Sequence, residues 1–258
     1  MNTLRQITTL GRITMLEGAR KHVFHVLVLF ALFQIFGSVL IAKFDQHVQI
    51  KILNDLAVFA IYFAGTVIAI TLTVTSLPAE IEQRTIYPVI AKPLSRTTFI
   101  LGKYFGALGT VAIAMVIMVA AFSFLQYFYM GHIDPVIFYV CPFIFLETAL
   151  IASISQCLST VCSWPLAWFI SVVLGVLGTL KFSIYDSLMS HHPILFDVIS
   201  IKIIYHLLPS LESFNFKDAL VHHLTVPNIY LVQTALYGVV YIAAMLTLSS
   251  LTFAKKDL

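Results

Sequence analysis

Long apolar runs separated by short charged interruptions dominate this chain. They extend over about residues 23–42, 56–77, 104–129, 138–162, 164–181 and 229–253. Each is close to the ~20 residues a helix needs to cross the hydrocarbon core. Barrel strands would be ~10-residue segments of alternating polarity, whereas these runs are continuously apolar. The pattern predicts an all-α membrane protein with six transmembrane helices. Residues 3–21 follow a different rule. Leu4, Ile7, Leu10 and Ile13 recur at three-residue steps while Arg5 and Arg12 share another face, which predicts an N-terminal amphipathic helix at the membrane surface. Such a helix serves either as a juxtamembrane anchor or in docking a partner. The stretch lacks the early apolar core and small-residue cleavage site of a signal peptide, so the first span is expected to insert by itself.

Between the fifth and sixth runs lies an outer segment, 182–228, that is not uniformly polar. Ile194–Leu208 is an apolar stretch of about 15 residues, too short to span comfortably, and Pro193 and Pro209 set its limits. It predicts a re-entrant or interfacial helix between spans five and six, carrying Phe196, Ile199 and Ile203.

Composition removes the soluble alternatives. Hydrophobic residues make up 60% of the 258 and charged residues 10%, with a mean hydropathy of +0.96, against about a quarter charged in soluble domains. A single membrane domain over residues 1–258 is expected. The net charge of +3 matters through its distribution. Arg5, Arg12, Arg20, Lys21, Arg84, Lys92, Arg96, Lys103, Lys255 and Lys256 flank one side, while only Lys43 and Lys51 occupy the short loops of the other. The positive-inside rule then places both termini and residues 78–103 in the cytoplasm of a cell (inner) membrane, with 182–228 outside. No basic patch for nucleic acid is visible.

The chemistry-bearing residues are few. Glu147 is the one acid well inside an apolar run, where a carboxylate costs several kcal/mol unless paired, protonated or hydrated. Two uses are open: a polar group on a substrate path, or a carboxyl satisfied by a neighbouring helix. A helix starting near Phe138 puts it mid-span; one starting at Pro142 puts it one turn in. Thr148, Ser155, Ser159 and Cys162 form one helical stripe of the small residues that favour close packing. Cys141, Cys157 and Cys162 suit buried hydrophobes better than a disulfide framework. His191 and His192, like the other outer histidines, lack a recognised ligand spacing, so no metal site is expected. Phosphate-loop, nucleophile-elbow and HExxH motifs are absent, so no catalytic residue is assigned and energy must come from an ion gradient or another polypeptide.

The charged stretch 78–106 carries the most specific pattern. Glu80-Ile81-Glu82, Arg84-Thr85-Ile86, Lys92-Pro93-Leu94-Ser95-Arg96 and Leu101-Gly102-Lys103 together resemble the cytoplasmic segment of ABC-2-type transporter permeases. The likeness is greatest to the branch grouped with nitrous-oxide-reductase and other multicopper-enzyme maturation systems. Leu208-Pro209, Glu212-Ser213-Phe214-Asn215 and the closing Phe253-Ala254-Lys255-Lys256-Asp257-Leu258 extend the resemblance over nearly the whole chain. It implies an exporter permease working as two copies, as a homodimer or with a paralogue, among membrane lipids. Separate ATP-binding subunits would carry ATP and Mg, and this chain no cofactor. It also implies that 78–103 is the coupling segment, with Pro78, Pro88 and Pro93 breaking a continuing helix and Glu80, Glu82, Arg84, Lys92 and Arg96 contacting the ATPase. The alternatives are a non-transporting membrane scaffold or assembly subunit of the same fold, and a gradient-driven carrier, for which several buried mid-membrane charges are expected.

Overall fold

A computed structural model describes residues 3–18, 23–41, 46–82, 95–131, 133, 135–190, 208–214, 216 and 227–255. Every regular element among them is helical. In order these are α1 (Thr3–Gly18), α2 (Phe24–Ile41), α3 (Gln46–Glu82), α4 (Arg96–Met130), α5 (Val136–Val161), α6 (Trp164–Thr179), α7 (Lys181–Ser190), a 3₁₀ turn (Glu212–Phe214) and α8 (Asn228–Ala254). The amphipathic helix and the expected spans thus have helical counterparts, but not all of full length. Lys51–Ser76, Arg96–Phe128, Ile137–Val161 and Asn228–Ala254 are long and apolar enough to cross a membrane. Trp164–Thr179 and Lys181–Ser187 make a fifth only if taken as one span bent by 63°, and His25–Ile41 is a shorter apolar helix. The expected interfacial helix, with Phe196, Ile199 and Ile203, lies outside the described residues.

Helices α3 and α5 form the centre. Ala57, Ile61, Ala64, Ile68 and Leu72 follow one another at helical spacing along α3, and all are buried. They pack in one cluster with Tyr104, Ala107, Val111, Ala114, Met115 and Met118 of α4 and Ile144 and Ala152 of α5. Thr148, Ser155 and Ser159 are buried, and their hydroxyls donate to Ile144 O (2.7 Å), Ile151 O (2.9 Å) and Gln156 O (2.8 Å) of their own helix. That stripe is a packing surface. Helices α2 and α8 are peripheral, with Leu29, Phe36, Val232 and Leu236 exposed.

Two prolines lie inside helices. Pro78 was expected to stop its helix, yet α3 runs on through it to Glu82. The ring removes the N–H that would otherwise meet Val74 O. The hydroxyls of the turns before it bond other carbonyls of α3, Thr73 to Ala69 O (2.8 Å), Thr75 to Thr71 O (2.6 Å) and Ser76 to Thr73 O (3.1 Å). Pro142 likewise lies inside α5, which begins at Val136. Glu147 is therefore near the middle of a 26-residue helix rather than in its first turn.

The amphipathic helix docks within the chain. Helix α1 crosses α4 where Gly11 meets Gly102 and Gly106, and a Cβ on Gly106 would lie 2.6 Å from both the Gly11 carbonyl oxygen and Thr14 Cβ. Thr110 Oγ1 adds bonds to Gly106 O (3.1 Å) and Met15 O (3.4 Å). Without a hydrophobic drive between helices in lipid, such close backbone approach is a main source of association. Gly106→Ala should therefore lower the thermal midpoint in detergent, by about 1–3 kcal/mol of overpacking, although alanine is the better helix former. Gly37→Ala, whose Cβ would meet only Leu56 Cδ1 at 3.4 Å, should be neutral or mildly stabilising in the same melt.

Candidate functional site

Three places gather polar or cavity-forming groups, and the first surrounds Glu147. Its side chain is buried and engages the hydroxyl of Tyr62 on α3. The Tyr62 hydroxyl also lies 3.2 Å from Thr179 Oγ1, and Thr179 Oγ1 donates to Gly175 O (2.9 Å) at the end of α6. Close by along α5, Tyr104 of α4 donates to Ala149 O (2.8 Å). Tyrosine hydroxyls thus join α3, α4, α5 and α6 in mid-bundle, in the way polar side chains hold membrane helices together. The Tyr62 hydroxyl is a partner for the Glu147 carboxyl on a neighbouring helix. Tyr62 was not singled out from the sequence because its hydroxyl is hidden in an apolar run.

The second place is the end of the bundle where α3 finishes and α4 begins. Ser95 caps α4: it has φ −69° and ψ 144°, and its Oγ accepts from Thr98 N at 3.2 Å. The serine one residue before the arginine in Lys92-Pro93-Leu94-Ser95-Arg96 was the available signal for this cap. Arg96 then reaches across to α8, where Nη1 donates to Phe253 O (3.0 Å) and Ala254 O (2.9 Å). Its guanidinium lies over the Phe253 ring, 5.9 Å from the centroid. Phe253 stacks on Phe99 at 5.8 Å, Leu10 of α1 packs against the cluster they form with Ile100, and Lys103 Nζ lies 5.9 Å from the Phe99 centroid. Arg96, expected as an ATPase contact, makes these contacts inside the chain. The backbones of Glu80 and Glu82 belong to the last turns of α3. Their side chains, and Arg84 and Lys92 altogether, lie outside the described residues.

The third place surrounds the end of α6, beside the Thr179 contact. Residues 208–214 and Phe216 form a wedge between α5, α6 and α8, with Leu211, Phe214 and Phe216 buried. Leu211 fits against Gly178, where a Cβ would come within 2.7 Å of Leu211 Cδ1. Lys181 Nζ donates to Leu208 O (3.0 Å) and Ser210 Oγ (2.7 Å), and Phe182 N donates to Glu212 Oε2 (3.1 Å). Ser210 N donates to the Tyr237 hydroxyl of α8 (3.0 Å), and Phe216 packs edge-on to Phe143 at 4.6 Å and to Tyr230 at 5.7 Å. Nearby, an apolar groove of about 790 Å³ runs between α4 and α5, lined among others by Met115, Val119, Phe124, Phe138 and Phe145. Glu147 is not part of its lining.

The length and apolarity of these helices define the class first: this is an all-helical, multi-pass membrane protein. The family model for the ABC-2 family transporter protein matches residues 11–258, and the chain belongs to that family, whose members are transport permeases rather than catalytic subunits. The match is to the family at large. A search of curated proteins found no match.

The Tyr62 network predicts a graded response. Tyr62→Phe should cost about 1 kcal/mol, as for a single buried hydrogen bond, and Glu147→Gln, which keeps shape and hydrogen bonding, should cost less. Glu147→Ala, which removes the carboxyl partner of the Tyr62 hydroxyl and leaves the side-chain space unfilled, should cost about 1–3 kcal/mol. Thermal melts of the purified variants give the order.

Proposed function

We infer that this chain is the membrane subunit of an ATP-driven ABC exporter, forming a substrate path as two copies and coupled to separate ATP-binding subunits. The family match over residues 11–258 carries this reading. On it, the chain lies in the cell membrane with both termini and residues 78–103 in the cytoplasm, as its Lys and Arg distribution supports. The quoted motifs align it with the maturation-permease branch.

The coupling segment would bridge α3 and α4 and present both charge signs to the ATPase. Positive-inside bias accounts for Arg84, Lys92 and Arg96 but not for Glu80 and Glu82. A charged docking interface accounts for Glu80, Glu82, Arg84 and Lys92 together, while Arg96 is engaged within the chain. The ATPase would bring ATP and Mg, and closure around the nucleotide would move the segment. Glu147 and Tyr62 would hold the bundle interior together as the helices rearrange, and the outer segment would cap the far end of the path.

Two measurements test this. The purified chain alone should hydrolyse no ATP above background, while the complex isolated from its native membrane should. Robust hydrolysis by the isolated polypeptide would overturn the assignment. Charge reversal at the segment, Glu82→Lys or Arg84→Glu, should weaken ATPase retention about tenfold, equivalent to ~1.4 kcal/mol, with membrane insertion unchanged. Undiminished retention by both variants, read by quantitative co-purification, would count against docking there.

A further inference from the structure

We propose that Arg96 is a positioning residue whose clasp on the last turn of α8 converts displacement of the start of α4 into displacement of α8. The inference rests on the proposed function, because the ATP-binding subunit supplies the displacement.

The contacts are local and stiff. Arg96 is the first residue of α4 and follows directly on the Ser95 cap, so its backbone moves with the helix start. The last carbonyls of a helix lack intrahelical donors, and a cation near them also meets the negative end of the helix dipole. Arg96 Nη1 supplies a donor to the carbonyls of both Phe253 and Ala254. The ring of Phe253 is buried with Phe99 and Ile100 beneath the guanidinium, and Leu10 packs against this cluster. A close-packed cluster transmits a push because it has no slack. Leu10 belongs to α1, which is locked to α4 by the Gly11–Gly106 crossing. The start of α4 and the docked α1 therefore bear on α8 together.

The receiving helix is suited to move. Of the four full-length spans, α8 has the smallest buried share. It runs beside α5 in a fixed register, set by Leu146 against Gly238 and by the 2.7 Å contact between Thr160 and Thr252 hydroxyls. That register brings Gln156 and Ser249 to nearly the same level, one turn from the threonine contact. Both are fully buried, and neither the Gln156 amide nor the Ser249 hydroxyl has a hydrogen-bond partner. Buried polar groups without partners are costly, so the middle of this seam resists displacement less than a satisfied one would.

The clasp also needs arginine. A guanidinium can meet two carbonyls and cover a ring at once, whereas a lysine ammonium acts as a compact point charge.

The test uses the complex of the full chain with its ATP-binding subunit in lipid nanodiscs. Cys141, Cys157 and Cys162 are replaced by alanine, and spin labels are placed at Trp164→Cys and Leu251→Cys, both exposed near the clasp end. The inter-label distance is measured without nucleotide and with ATP and vanadate. The otherwise unaltered chain should show a nucleotide-dependent shift. Arg96→Ala should lose it while retaining the ATPase, Arg96→Lys should recover part of it, and Phe253→Leu, which keeps the carbonyl contacts, should reduce it. Should Arg96→Ala fail to fold, Arg96→Lys and Phe253→Leu carry the comparison. A full shift in the folded Arg96 variants, or none in the unaltered chain with the ATPase bound, overturns the clasp alone. If no ATP-binding subunit co-purifies with the unaltered chain, the proposed function falls, and the clasp with it.

Discussion

The space left empty at Gly106 is the constraint on which one end of this molecule depends. With no Cβ there, the Gly11 carbonyl and the Thr14 side chain come to where a methyl group would otherwise be. Helix α1 therefore lies along α4 rather than apart from it. In lipid this contact has little competition, because apolar side chains gain nothing by leaving the acyl chains for one another. Close approach in turn fixes Leu10 against the cluster of Phe99, Ile100 and Phe253, and so fixes the surroundings in which Arg96 meets the end of α8.

Polar groups in the interior obey the same shortage of alternatives. Most buried hydroxyls solve it locally by bonding a carbonyl three or four residues back, as Thr73, Ser153, Ser155 and Ser171 do. These bonds cost nothing in tertiary freedom and leave the helices free to pack by shape. The cross-helix bonds are fewer, and each has a structural effect. Gln126 donates to Asn54 Oδ1 at 3.1 Å between α4 and α3, and Tyr62 joins α3 to α5 and α6. A side chain that reaches another helix in a low-dielectric interior specifies register as well as contributing stability.

Much of this was legible in the chain, because the membrane imposes helices and the apolar runs mark where they lie. The stripe of Leu4, Ile7, Leu10 and Ile13 announced an amphipathic helix, but periodicity cannot say which surface its apolar side meets, and here Leu10 meets another helix. Pro78 was read as a break because the residue rule is local, whereas the 37-residue helix α3 runs through it to Glu82. The depth of Glu147 depended on whether Pro142 opens or interrupts α5, which sequence alone left undecided. The bend after Thr179 had no strong local signal, and the residue packed beside it at Gly178, Leu211, lies far along the chain. For the candidate sites the charges were visible and their partners were not. Arg96 was picked out by its charge, yet its acceptors are main-chain carbonyls more than 150 residues away.

The two ends of α8 show why that distant pairing matters. Toward one end Tyr237 accepts from Ser210 N and Tyr230 meets Phe216, so the helix is held by the wedge of residues 208–214 and Phe216. At the other, its final carbonyls are held by Arg96. Between these tethers Val239, Val240, Leu248 and Leu251 face outward, and the seam with α5 contains Gln156 and Ser249 without partners. A helix fixed at both ends and loosely satisfied in the middle responds to displacement at one tether by tilting or sliding about the other. Because the tethers are short-range polar contacts to backbone and hydroxyl groups, they constrain position sharply while burying little area. The least buried full span among the described residues is also one held near both ends by polar contacts to distant parts of the chain.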